Sequence, residues 1–319
     1  MRERNSGGLP YLYLAPALLL LALLSLLPNL YSVWLAFTNY SLNHYSDYSF
    51  VGLRNFARIL QGPEAATFGR VFAWTVVWAG ASVLLSLGLG LFLAILLNNA
   101  HVKGRTFYRT IFILPWAIPA FISVMMWQGL LNTEFGAINL LLANLGLDQA
   151  LATIVGLFTK EPVATPIAWL NTPGWSHIAV LAVNVWLAFP FQLTTCLGAL
   201  QSVPSDVYEA ASVDGATAGL QFRRITVPLL RSALLPVLLS SFAFNFNQFA
   251  AIYLLTAGGP AVPGSEAGAT DILITYSYKL AFNLFQYGMA CAYAIFIFIL
   301  VATLSGVNFK LTGAFEDAN

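Results

Sequence analysis

The chain has 319 residues, of which 59% are hydrophobic and only 8% charged, with a net charge of +1. Its mean hydropathy of +0.76 leaves too little polar surface for a water-soluble fold, so the chain reads as an integral membrane protein. The near-neutral balance and scattered basic residues exclude a nucleic-acid partner. Cys196 and Cys291 both fall inside apolar runs and read as small buried side chains, not as disulfide or metal ligands.

In chain order, a short segment carrying Arg2 and Arg4 precedes an apolar run from Leu9 to about Phe37. That run is longer than the ~7–15-residue core of a secretory signal and shows no small-residue cleavage site, so it reads as a span. Five more runs reach the ~20 residues needed to cross a bilayer: Val71 to Leu97, Phe107 to Leu131, Ile178 to Leu200, Leu229 to Thr256 and Leu284 to Phe309. The fold class is therefore all-α with six transmembrane helices, and both termini lie on one side. If that side is the cytoplasm, Arg2, Arg4, Lys103, Arg105, Arg109, Arg223, Arg224, Arg231 and Lys310 lie inside, and Arg54, Arg58, Arg70, Lys160 and Lys279 outside. An inside excess of basic residues predicts cytoplasmic termini. Residues 1–70 form a tail, the first span and a short external loop, residues 71–310 a five-span core, and residues 311–319 a cytoplasmic tail.

Pro28, Pro115, Pro119, Pro190 and Pro236 fall inside spans and predict kinks, which membrane helices tolerate where neighbours satisfy the freed carbonyl. Two long external loops follow the third and fifth spans. The first holds an apolar stretch, Ile138 to Leu147, expected along the membrane interface; the second opens with the turn signal Gly258-Gly259-Pro260. Both are expected to face an external partner.

Between the fourth and fifth runs lies a polar island, Gln201 to Leu230. Ser202 and Pro204 suit a helix start and Gly215 a stop, which predicts a helix of about two to three turns. Its centre is Glu209, Ala210 and Ala211: one carboxylate beside side chains too small to hold another surface away, a docking face. A second short helix is predicted from Gly215 to Arg223 and Arg224, cations suited to its C-terminus, before Pro228 opens the next run. A linker lying on the membrane would read similarly.

No Asp, Glu, Lys or His occupies the centre of a span, which argues against proton relays and ion conduction. Neutral polar groups do lie at depth. Asn184, Leu187, Ala188 and Phe191 form one helical stripe, and Ser241, Asn245 and Gln248, with Phe244 alongside, form another. Amides bond sugar hydroxyls and aromatic faces cover pyranose C–H faces, so the set suits an uncharged sugar. Read from the residues alone, hydrogen-bonded glue between helices, worth ~0.6 kcal/mol on average, fits equally.

Glu209-Ala210-Ala211, three residues, Gly215, nine residues and Ile225-Thr226-Val227-Pro228 together resemble the EAA loop of permease subunits in binding-protein-dependent ABC importers. Phe112 to Asn132, Ser240 to Pro260 and Thr270 to Phe282 are similar to the maltose/maltodextrin permeases of the MalF type, and the resemblance runs from about Phe50 to Lys310. It implies a MetI-like permease core that imports a neutral sugar, most simply maltose or maltodextrin. The eight stripe residues match the family's sugar-site positions, with three departures: Ala188 for Gly, Phe191 for Tyr and Gln248 for Asn. Glu209, Ala210, Ala211, Asp214 and Gly215 match its ATPase-coupling loop. The implied partners are a second, MalG-like permease subunit, a MalK-like ATPase dimer that uses ATP and Mg, a MalE-like external sugar-binding protein, the sugar and membrane lipid. No cofactor, catalytic residue or metal site is expected on this chain. Compared with the enterobacterial maltose permease that it resembles, the region between the first span and Gly52 is short, so neither a large inserted external domain nor an extra N-terminal helix is expected.

The chain has no G-x-x-x-x-G-K-[ST] pattern, so nucleotide hydrolysis falls to another subunit. The competing readings are a permease for trehalose or a glycerol derivative, a membrane-embedded enzyme acting on lipid or glycan, and a stand-alone secondary carrier. His44, His101 and His177 are scattered over both predicted faces, which counts against the enzyme.

Overall fold

The computed structural model describes residues 9–99, 101–159 and 165–312. Among them the only β pairings are the isolated bridges Thr38–Phe50 and Val262–Ser265; all other regular structure is helical. The helices are α1 (Tyr11–Leu35), α2 (Arg54–Gln61), α3 (Ala65–Asn98), α4 (Arg105–Ala117), α5 (Ala120–Leu130), α6 (Ala137–Asn144) and α7 (Asp148–Thr159). They continue with α8 (Trp175–Gln201), α9 (Ser205–Val213), α10 (Ala218–Phe246), α11 (Phe249–Thr256), α12 (Leu273–Phe282) and α13 (Tyr287–Thr312). Among the described residues, five unbroken helices are long and apolar enough to cross a membrane: α1, α3, α8, α10 and the Tyr287–Val307 part of α13.

The expected third span is not a straight rod. It consists of α4 and α5, which meet at 93°. Ile118, held before Pro119, is extended (φ −97°, ψ 129°), because a following proline crowds the α conformation of the residue before it. The expected fifth span is also broken, at Asn247 and Gln248 between α10 and α11. No proline or glycine marks that break. The Trp78 indole instead donates to the Asn245 carbonyl at 3.0 Å, supplying a donor where the helix ladder stops. The apolar stretch expected along the interface forms α6, paired with the start of α7 at 100°.

The predicted short helix ending at Arg223 and Arg224 is not a separate element. From Ala218 the helix runs through a π-turn at Phe222–Thr226 into the span, so both arginines lie near its beginning, not at a C-terminus. A proline ring clashes with the carbonyl four residues back in regular α geometry; the wider π-turn just before Pro228 gives it room.

The chain forms two compact units, Met1–Ala66 with Ser277–Phe298 and Thr67–Tyr276 with Ile299–Asn319. In the first, the loop after α1 is clamped by the buried Asn55, whose amide donates to the carbonyls of Ala36 and Thr38 at 2.8 Å each. Gly288 packs against the Thr38 carbonyl, where a side chain would collide.

In the second unit, α3 turns a row of small residues inward: Thr75, Ala79, Ser82, Ser86, Gly90 and Ala94 are all buried. Small residues let membrane helices approach closely. At Gly90 an added Cβ would lie 2.7 Å from Gln192 Cβ and the Leu193 nitrogen, so α3 and α8 touch backbone to backbone. Ala94, Leu97, Leu193, Cys196, Leu197, Leu200, Leu230 and Leu234 close an apolar cluster between α3, α8 and α10. The loop between α11 and α12 is pinned by Arg70, which donates to the carbonyls of Ala267 and Gly268 and to Ser265 Oγ at 2.8–3.0 Å. His177 Nε2 donates to the Ala269 carbonyl at 2.9 Å.

Candidate functional site

A cavity of about 780 Å³ opens within the second unit, between the α4–α5 break, α8 and α10. All eight residues of the two polar stripes line it: Asn184, Leu187, Ala188 and Phe191 from α8, Ser241, Phe244 and Asn245 from α10, and Gln248 from the break that follows. The 3.6-residue period set each stripe on one face of its helix; only the packing of α8 against α10 turns the two stripes toward each other.

The polar groups of its lining are interlocked. Asn184 Nδ2 donates to Asn245 Oδ1 at 2.8 Å, and Asn245 Nδ2 donates to the Ser241 carbonyl at 2.8 Å. Gln192 Nε2 donates to Ser241 Oγ at 3.2 Å, while its Oε1 is buried without a partner. Aromatic rings share the lining. Phe244 is 67% exposed, Trp116 51% and Phe191 41%, and the Trp116 and Phe191 rings lie 5.9 Å apart with planes tilted 32°. No ionisable side chain lines the cavity. It can therefore offer amides, a hydroxyl and aromatic faces to a neutral polyol, and it has nothing to neutralise a charged one.

Among the lining residues not singled out from the sequence are Trp116, Gln192 and Ser240. Gln192 lies four residues after Ala188 and eight after Asn184, on the stripe already identified, so its periodicity was readable. Trp116 was not readable, because it belongs to another run and reaches the cavity only through the turn at Ile118 and Pro119. Among the described residues no group of three His, Cys, Asp or Glu side chains lies close enough to hold a metal ion.

The polar island forms a second exposed feature. Helix α9 starts after Pro204 and stops at Val213, capped by Asp214 and followed by Gly215, whose φ of +79° is left-handed. The Ala216 N–H bonds the Ala211 carbonyl at 2.9 Å and the Gly215 N–H bonds the Ser212 carbonyl at 3.1 Å, the paired bonds of a Schellman stop. The following helix is tied back through Gln221 Nε2, which donates to Ser212 Oγ at 2.9 Å and to the Ala216 carbonyl at 3.1 Å. Glu209, Ala210, Asp214 and Gly215 are exposed and Ala211 is half-buried, so carboxylates and small side chains share one open turn.

Residues 86–311 match the family model described as "Binding-protein-dependent transport system inner membrane component". The chain is 39% identical to the galactooligosaccharides transport system permease protein GanP of Bacillus subtilis, over 98% of this chain and 72% of that one. It is 40% identical to the maltose/maltodextrin transport system permease protein MalF of Vibrio parahaemolyticus, over 84% of this chain and 49% of that longer one. A crystal structure of a bacterial ABC transporter involved in the import of the acidic polysaccharide alginate has the same fold, with a TM-score of 0.73, 24% identity, and 95% and 96% of the two chains covered. The chain belongs to the inner-membrane components of binding-protein-dependent transport systems: it is a multi-pass permease subunit of an ABC transporter, not an enzyme.

Proposed function

We propose that this permease passes a neutral oligosaccharide, of the maltose/maltodextrin kind, across the cytoplasmic membrane. The observation that carries the reading is the convergence of eight amide, hydroxyl, aromatic and small side chains on one cavity with no charge in its lining. Names of the relatives support two sugar classes, maltodextrins and galacto-oligosaccharides. Ala188, Phe191 and Gln248 are the residues expected to set the choice, because they depart from the maltose-permease pattern at the cavity wall. A permease for trehalose or a glycerol derivative is the alternative within the same class.

In this reading residues 71–310 form the permease core and both termini are cytoplasmic. The exposed turn at Glu209 to Gly215 enters a cleft of a MalK-like ATPase dimer, where ATP and Mg are used, and a MalG-like subunit supplies the other half of the pathway. A MalE-like binding protein delivers the sugar from outside. The test is uptake by the assembled transporter in proteoliposomes, with labelled maltotriose, a galacto-oligosaccharide, trehalose and glycerol phosphate offered in parallel. Uptake of maltotriose that neither galacto-oligosaccharide nor trehalose suppresses supports the maltodextrin assignment; preferential uptake of either competitor replaces it. Uptake of glycerol phosphate alone would overturn the neutral-sugar reading.

A further inference from the structure

The first unit holds another cavity, of about 420 Å³, which the transport reading does not use. Its walls are the loop directly after α1, helix α2, and the residues directly before α13. Helix α1 has 25 residues, about 37 Å at 1.5 Å per residue, enough to cross a bilayer. One span ends at this cavity and another begins there, which puts it at the level of the lipid headgroups.

Aromatic residues crowd the same level. Tyr31 stacks on Trp34 at 5.9 Å, Trp34 meets Tyr48 at 5.6 Å, and Tyr40 lies 5.0–5.5 Å from Tyr45, Tyr48 and Tyr287. Tyr and Trp gather where one end of the side chain is in hydrocarbon and the other in water.

Two guanidinium groups face into this setting. Arg54 and Arg58 both line the cavity and stand one turn apart on α2, a spacing at which like charges repel. Neither is paired with a carboxylate among the described residues, and no carboxylate lines the cavity. His44, which does line it, lies 3.4 Å from Asp47. Ser41, Asn39 and Asn43 add neutral donors to the lining.

The walls are held in place. Asn55 fixes the loop floor through its two bonds to the Ala36 and Thr38 carbonyls. Phe285 sits on the wall at φ +53°, a conformation costly for a bulky residue, with its carbonyl accepting the Leu42 N–H at 3.0 Å.

We propose that this cavity binds the phosphate of an anionic phospholipid, of the phosphatidylglycerol class, gripped by Arg54 and Arg58 and bordered by the tyrosine cluster. Guanidinium forks match phosphate oxygens in pairs, and an anion between the two arginines removes their mutual repulsion. The site's level at the end of two spans favours a lipid over a carboxylate of the external binding protein.

The experiment is native mass spectrometry of the assembled transporter released from nanodiscs of equal phosphatidylglycerol and phosphatidylcholine. Wild type is expected to retain phosphatidylglycerol in preference, and Arg54→Gln with Arg58→Gln to lose roughly tenfold or more of it, with phosphatidylcholine unchanged. If the double variant does not assemble, Arg58→Gln alone must show the same selective loss. Equal retention by wild type and variant overturns the proposal, as does parallel loss of both lipids. Displacement of the lipid by millimolar inorganic phosphate would make this a free-anion site, and weaker capture of the binding protein with lipid retention intact would assign the arginines to that protein. Either result also overturns the proposal.

Discussion

Asn184 Nδ2 donates to Asn245 Oδ1 across α8 and α10 at 2.8 Å, so each residue is both cavity lining and part of an inter-helix bond. Removing either side chain leaves the Asn184 donor or the Asn245 acceptor of this bond buried and unmatched, at a cost of about 1–3 kcal/mol. Asn245→Ala is therefore expected to lower the melting temperature of the purified complex as well as its uptake. The double replacement of Asn184 and Asn245 by Ala should destabilise by less than the sum of the single changes, since contacting groups are not additive. Strict additivity in the melts would show that the pair does not act as one. Phe244 differs: 67% exposed, it supports little of the fold, so Phe244→Ala is expected to spare the melting temperature and cut uptake per complex several-fold. Normal uptake by that variant would remove the aromatic wall from the sugar pathway.

Elements respond to two glycines in opposite ways. Gly90 lies where α3 meets α8, and its missing side chain is what lets the backbones touch; Gly90→Val inserts carbons 2.7 Å or less from a neighbouring backbone nitrogen. Overpacking of this kind costs roughly 1–3 kcal/mol, and the expected result is less assembled complex in the membrane, read by quantitative blotting. Gly215 has open space around it but a φ of +79°, so Gly215→Ala strains only the backbone, by about 1–2 kcal/mol. That variant should assemble, yet show reduced stimulation of ATP hydrolysis by sugar-loaded binding protein, because the Schellman stop that presents α9 is loosened. Glu209→Lys should uncouple hydrolysis from uptake outright. Wild-type coupling in both would separate this turn from the ATPase.

For the whole molecule, the orientation can be tested by single cysteines reacted with an impermeant reagent. Ala218→Cys and Lys103→Cys, both exposed, should react only after the membrane is opened. On the other face Ala269 is a poor probe, since it is only 8% exposed and lies in the loop held by Arg70 and His177. Ala261, exposed at the start of that loop, should react in intact cells. Labelling of Ala218→Cys in intact cells would invert the topology and remove the docking role of α9.

Much of this protein is decided by local chemistry. Long apolar runs leave a chain no choice but membrane helices, the proline and glycine beside α9 set its ends, and a 3.6-residue period puts Asn184 with Phe191 and Ser241 with Gln248 on single faces. The absence of charge at depth likewise needs no coordinates to be read. What a single helix cannot specify is which neighbour its face meets, because that depends on close packing between segments distant in the chain. The approach at Gly90, the pairing of Asn184 with Asn245 and the arrival of Trp116 at the cavity are of this kind. The break after Asn245 is too, since its carbonyl is bonded by Trp78, 167 residues away. Two amphipathic stripes were legible as sequence; that they enclose one cavity was decided only when tertiary packing brought α8, α10 and the bent α4–α5 pair together.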